Sequence, residues 1–315
     1  MTPSLAQRRV AITGGWGSLG TCLARLLISS GCREIVVFDR LPPGFQTERL
    51  RYVSGDILNA DDLERGLGGC EVVFHLAALA DPAGSLTEPM RYVEVNVLGT
   101  ARVLEACRRL GVLQIVYAST GHVYGLPLRI PVDEQHRAEP RSIYAASKLA
   151  GEVVAAGYGK SFGSAVVIAR LSNLYGGTLG ANTVLGRAIQ SVLSEGTLQL
   201  RSIEEVRDFL YVEDAAEALL RLATSDGTQS GVHTVNVSTG CGIGIGDAVR
   251  ELIQAAEDCG LPRPLVMPPS GQPDCEVPVF VLDNRRLREL TGWAPTTSLR
   301  QGLADTLGRQ IKKHG

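Results

Sequence analysis

The sequence predicts an α/β fold: a doubly wound parallel sheet, with a smaller C-terminal substrate lobe interleaved with it. Three observations carry this. Short apolar runs of strand length alternate with helical repeats from residue 9 to about 170, joined by short loops. The first of these runs opens straight onto a glycine-rich turn and then a helix. Beyond residue 170 the glycine punctuation and the alternation become less regular. The division expected is therefore 1–170 for the main domain, with some later segments returning to it, and 171–315 for most of the second lobe.

Bulk properties narrow the function classes. The 315 residues carry 31 basic against 33 acidic side chains, a net charge of −2, and are 44% hydrophobic. Such a balance offers nothing to nucleic acid or to an anionic membrane. No apolar run approaches the roughly 18 residues of a membrane span, and the N-terminus lacks the apolar region of a signal peptide. The seven cysteines are scattered without a Cys-x-x-Cys pair, and the five histidines lack metal-ligand spacing. A cytoplasmic, reduced, metal-free protein is expected.

In chain order, Arg9–Thr13 reads as a strand and Gly14-Gly15-Trp16-Gly17-Ser18-Leu19-Gly20 as the turn. Leu19, Cys22, Leu23, Leu26 and Leu27 then recur at helical spacing. Gly14 permits the turn, Gly17 admits a pyrophosphate to the backbone, and Gly20 lets helix and strand pack closely. The phosphates would meet free N–H groups at the helix N-terminus. The next strand ends at Asp39, about twenty residues on, where a carboxylate accepts hydrogen bonds from an adenosine ribose. A carboxylate there repels a 2′-phosphate, so NAD is favoured over NADP, although Arg40 follows directly. A third strand leads to Gly55-Asp56-Ile57, with Asp56 placed for an adenine edge. Val72–Ala78 reads as a buried strand whose small end, Leu76-Ala77-Ala78, lets the cofactor approach the backbone. Residues 88–110 read as one long helix containing Asn96, and Gln114–Ser119 as the following strand.

That strand runs into Ser119-Thr120-Gly121-His122, and a helix follows with Tyr144 and Lys148 four residues apart, hence one turn from each other. An ammonium beside a phenol favours the phenolate and is expected to pull its pKa down from about 10. A phenolate formed near neutrality is a general base, and the re-formed phenol a general acid. Thr120 is placed to hold a substrate oxygen and relay its proton to Tyr144.

These motifs resemble the extended short-chain dehydrogenase/reductases, specifically the NAD-dependent epimerase/dehydratase family acting on nucleotide sugars. The resemblance extends through Asn96-Val-Leu-Gly-Thr100, Arg170-x-x-Asn173-x-Tyr175-Gly176, Arg207-Asp208-Phe209 and Leu290-Thr-Gly-Trp293. It implies a Rossmann-type fold, NAD as cofactor, and contacts to it from the residues above, Asn96 included. It also implies Tyr144 as acid/base, Lys148 on the nicotinamide ribose, Thr120 at the sugar hydroxyl and Ser119 in support. Ala80, His122, Asn173 and Arg207 are the expected substrate contacts, the last two at the nucleotide diphosphate. Dimerisation is implied through helices near 88–110 and 143–161.

Three departures bear on the reaction. Where the family's 4,6-dehydratases carry an acid pair after the threonine, this chain has Gly121 and His122. The C-terminal loop reads Gly271-Gln-Pro-Asp274, without the arginine that grips a diphosphate in many relatives, and Arg201-Ser-Ile-Glu-Glu-Val206 replaces a glycine-rich turn. A nucleotide-sugar epimerase acting at C4 through a transient 4-keto sugar is the expected function. A sugar dehydrogenase or ketoreductase of the same fold is the alternative, and a dehydratase a more distant one.

Overall fold

The structure is a computed structural model and describes residues 5–177, 183–194, 196–200, 203–268 and 277–314. Five apolar runs form the strands β1 (Arg9–Thr13), β2 (Glu34–Asp39), β4 (Val72–His75), β5 (Gln114–Thr120) and β6 (Ala165–Leu171), almost wholly buried. Burial on both faces is why they read as continuous rather than alternating hydrophobic segments. The half-exposed β3 (Leu50–Ser54) closes one edge, and Val232–Val237 closes the other by pairing with β6. All seven strands are parallel, in the order Val232–Val237, β6, β5, β4, β1, β2, β3. The order reverses between β1 and β4, and a ligand crevice belongs outside the strand ends at that point.

Helices cover both faces and end where their caps dictate. The helix α1 (Ser18–Ser29) follows the glycine turn, and α2 (Ala60–Leu67) is capped by Asn59, whose Oδ1 accepts from Asp61 and Asp62 N–H at 3.0 and 3.2 Å. The helix Ile143–Phe162 starts at Ser142, whose Oγ accepts from Ala145 N–H at 3.1 Å, and stops at Gly163 with φ +79°. The expected single helix over 88–110 is instead three joined segments: α-helical Pro89–Val93, a wider π-helical Glu94–Gly99, and α-helical Thr100–Leu110. Hydrophobic spacing cannot register that extra residue in a turn.

The second lobe is interleaved with the first, as expected. Val232–Val237 and the helix Val212–Thr224 return to the main sheet, and one apolar cluster joins Leu23, Leu27 and Val37 to Leu185, Leu252 and Leu303 in the lobe. The lobe carries the helix Val184–Leu193, and two further helices near the C-terminus are Arg285–Thr291 and Leu299–His314. Within the proline-rich 262–278 stretch, Leu265–Met267 forms a short strand beside Thr197–Gln199. Arg201 and residues 269–276, with the Gly271–Asp274 segment, lie outside the described residues, as do 178–182. Among the described residues no helix is long and apolar enough to cross a membrane, and no cluster of three or more metal-ligating side chains occurs.

Candidate active site

A cleft of about 990 Å³ opens at the strand ends where the order reverses. At one end lies the glycine turn. Gly14 has φ +69°, and a Cβ there would come within 2.7 Å of the Ala77 backbone; one at Gly20 would lie 2.5 Å from Gly15 Cα. The N-terminus of α1 has no side-chain cap and points its positive dipole end at this part of the cleft, which favours an anion. Ser18, Leu19 and Gly17 line this end.

Asp39 is held by two backbone donors, Trp16 N–H to Oδ2 and Leu41 N–H to Oδ1, both 2.9 Å. Its orientation is thus fixed while lone pairs remain for a ribose. Arg40 leans on Asp56 at 3.7 Å, which draws its charge away from a 2′-phosphate. Asp56, Ile57, Leu76, Ala77, Ala78 and Ala80 continue the wall. An adenine dinucleotide without a 2′-phosphate fits these residues.

Asn96 corrects an expectation. It is fully buried and does not line the cleft. Its Oδ1 accepts from Leu79 N–H at 2.8 Å, and its Nδ2 donates to Leu79 O at 3.0 Å and Ser147 Oγ at 2.9 Å. An amide with all these bonds made inside the protein ties the loop after β4 to the helix Ile143–Phe162. Behind it runs a chain that the sequence did not suggest: Thr100 Oγ1 to Asn96 O (2.7 Å), His75 Nε2 to Thr100 Oγ1 (3.0 Å) and His75 Nδ1 to Thr13 Oγ1 (2.7 Å). Burial, with Lys148 nearby, pushes the His75 pKa down to about 3, so its imidazole is neutral.

Thr120, at the end of β5, and Tyr144 both line the cleft. The Tyr–Lys spacing leads one to expect a lowered phenol. Instead, burial pushes Tyr144 up to about 12, Thr120 opposing and Tyr92 adding to the rise. Burial likewise brings Lys148, 3% exposed, down to about 7 against the pull of Glu152. The two share one helix at i, i+4, but the Lys148 ammonium rests 4.2 Å over the Tyr117 ring, and loss of water dominates both shifts. Ser119 lines the cleft beside Thr120, and its Oγ donates to Glu152 at 2.5 Å.

The far end carries the expected substrate contacts. His122 is stacked on Phe280 (ring centroids 6.1 Å apart) and lies edge-on to Tyr144 at 6.3 Å. Although exposed to the cleft, it has a lowered pKa, through burial among protein atoms and then Arg207, with a hydrogen bond from Asn173 opposing. Asn173 Nδ2 also reaches Asp208 O at 3.3 Å. Arg207, 12% exposed, is bonded by the Glu205 carboxylate at 2.7 Å. Glu205 lines the same wall and was missed in the sequence. Its i, i+2 spacing to Arg207 on a strand was the available signal.

This cleft, with a dinucleotide cradle at one end and Thr120, Tyr144 and Lys148 at its centre, is matched by known proteins. A model of the NAD dependent epimerase/dehydratase family covers residues 10–238. The chain belongs to that family. As a member it is an NAD-dependent enzyme, and its sheet is the family's Rossmann-like α/β fold. It is 32% identical to a UDP-glucose 4-epimerase of Mycolicibacterium smegmatis, over 95% of this chain and 97% of that one. Among solved structures it resembles MoeE5 in complex with UDP-glucose and NAD, at 30% identity and a TM-score of 0.85, covering 98% of this chain and 100% of that one. It also resembles DesIV, a dTDP-glucose 4,6-dehydratase of Streptomyces venezuelae solved with NAD, at 27% identity and a TM-score of 0.88, covering 98% of each chain.

Proposed function

We propose that this enzyme is a nucleotide-sugar 4-epimerase. The single observation that carries the reading is that Thr120, Tyr144 and Lys148 line one cleft beside the dinucleotide cradle, with Thr120 followed in the chain by Gly121 and His122 rather than by two acids. A dehydratase needs an acid and a base beside the sugar to remove water, and Gly121 and His122 put no carboxyl group at those two positions. The names of the relatives, with epimerases on UDP-glucose among them, support the same choice.

Bound NAD supplies a reversible hydride acceptor at the sugar carbon. Thr120 and Tyr144 take the proton of the C4 hydroxyl as that carbon is oxidised and return it on reduction from the other face, so no net redox change remains. Lys148 holds the nicotinamide ribose, and its positive charge favours the phenolate. Asp39, Gly17, Ser18 and the α1 N-terminus hold the adenosine and pyrophosphate. His122 and Asn173 contact the sugar, and Arg207, already bonded to Glu205, meets the diphosphate with part of its charge compensated.

The proposed assembly is a homodimer. Met90, Val93, Leu98 and Val153 are exposed apolar side chains on the two helical regions expected to pair, which supports a joint face there. Residues 1–170 and 171–315 are proposed as the cofactor and substrate parts. A reducing cytoplasm suits the thiols: Cys22, Cys70 and Cys107 are buried and their pKa values raised by that burial. The test is the Tyr144→Phe variant on UDP-glucose and related nucleotide sugars. Loss of epimerisation with NAD still bound is expected; undiminished turnover would overturn the assignment.

A further inference from the structure

A buried ionic cluster stands behind Lys148, and the reaction described above makes no use of it. Glu152 lies one helical turn beyond Lys148 and is 3% exposed. Arg170, from β6, clasps it with three contacts: Nε to Oε1 at 3.0 Å, Nε to Oε2 at 3.2 Å and Nη2 to Oε2 at 2.6 Å. From β5, Ser119 Oγ donates to Oε1 at 2.5 Å. The Arg170 guanidinium also lies 4.6 Å over the Tyr124 ring, whose hydroxyl donates to Asn236 Oδ1 at 2.7 Å. One carboxylate therefore joins the helix of Tyr144 to the two strands beneath it, between two buried cations.

A buried ion pair is weak evidence for stability, because desolvation offsets most of the attraction. Its position suggests another use. The groups acting on Lys148 are Glu152 on its own helix, the Tyr117 ring on β5 and the neutral His75 on β4, with Arg170 on β6 clasping Glu152. Glu152 is the only carboxylate among them. We propose that Glu152 is a positioning residue that sets the charge carried by Lys148, with Arg170 and Ser119 fixing its carboxylate one helical turn along from that lysine. Burial brings Lys148 down to about 7, so a change in its surroundings shifts its charge within the neutral range. Arg170 restrains this effect, since it offsets part of the Glu152 charge. Removing one partner should move Lys148 one way and removing the other should move it back.

The inference deepens the epimerase reading, and its test does not depend on turnover. The sequence contains four lysines (148, 160, 312 and 313), so protein labelled with ¹³C at lysine Cε gives four resonances, and that of Lys148 is identified by its loss in Lys148→Met. Its titration midpoint is followed in the full-length protein and in three variants. Glu152→Gln is expected to lower the midpoint by about one unit or more, and Arg170→Gln to raise it, as for a charge at close range. The double variant, which removes the clasped pair of charges together, should fall between them and stays informative if a single variant folds poorly. Opposite shifts are not the signature of a merely structural clasp. Midpoints that agree in wild type and the double variant but do not separate in either folded single variant would overturn the proposal, as would a double variant outside the range of the singles. Failure of the epimerase reading would show separately, as absence of sugar turnover in a wild type whose lysine titration still responds.

Discussion

Tyr144 and Lys148 are each governed more by burial than by one another. The phenol is pushed up to about 12 and the ammonium down to about 7 in the absence of ligand. Spacing in the sequence placed them one turn apart correctly, but the depth of the cleft around them belongs to residues far away in the chain. Phe in place of Tyr144 removes only the hydroxyl, so turnover should fall about 10²–10⁴-fold while NAD affinity stays near wild type; a parallel loss of both would point to a binding role instead. His75 offers a second prediction. Its folded pKa of about 3 lies below the ordinary value of 6.5, so the unfolded chain binds a proton in that window that the folded one refuses. Its contribution is therefore present in full above pH 6.5 and lost as pH falls toward 3. Urea unfolding at pH 7.5 and 4.5 should show wild type losing more stability on acidification than His75→Gln, which starts less stable but has the flatter slope. Equal slopes would contradict this.

At the scale of elements, the strands and their glycine turn were readable because each carries a local signal: continuous apolar runs, then φ > 0 at Gly14. Asn96, read as a cofactor contact, lies in a π-helical segment and binds Leu79 and Ser147 instead. Hydrophobic periodicity is blind to the wider turn, and an amide's partners across 17 and 51 residues leave no mark in the local pattern. Arg170 and Glu152 were likewise invisible as a pair, since they meet only when helix and strand pack. The seat of the helix Ile143–Phe162 on the sheet can be tested at Gly151. A Cβ there would lie 2.3 Å from Tyr117 Oη, so the helix or the ring must shift. Gly151→Ala should lower the melting temperature and reduce kcat more than it raises KM, because Tyr144 and Lys148 ride on the displaced helix. A variant with wild-type kcat and stability would mean that the sheet yields easily.

For the whole molecule, the two parts share one core rather than meeting across a linker, and the irregularity after residue 170 reflects segments returning to the first domain. Sequence order located that change in character, whereas the edge position of Val232–Val237 is a property of the folded sheet. Dimerisation belongs at this scale too. Placing aspartate at both Met90 and Val153, exposed by 74% and 65%, should convert a dimer to monomers in sedimentation, with unfolding of the monomer little changed. A variant that still sediments as a dimer would move the interface elsewhere. The central claim is that oxidation and reduction of the sugar both occur within one turnover, on a cofactor that never leaves. The measurement that tests it most directly is to supply UDP-glucose to the purified protein without added NAD and follow both the sugar and the nicotinamide absorbance near 340 nm. The account predicts conversion to the C4 epimer over many turnovers, supported by about one retained NAD per chain and with no accumulation of reduced cofactor. Stoichiometric build-up of reduced nicotinamide, or a strict need for added NAD in every turnover, would contradict it and identify a net dehydrogenase.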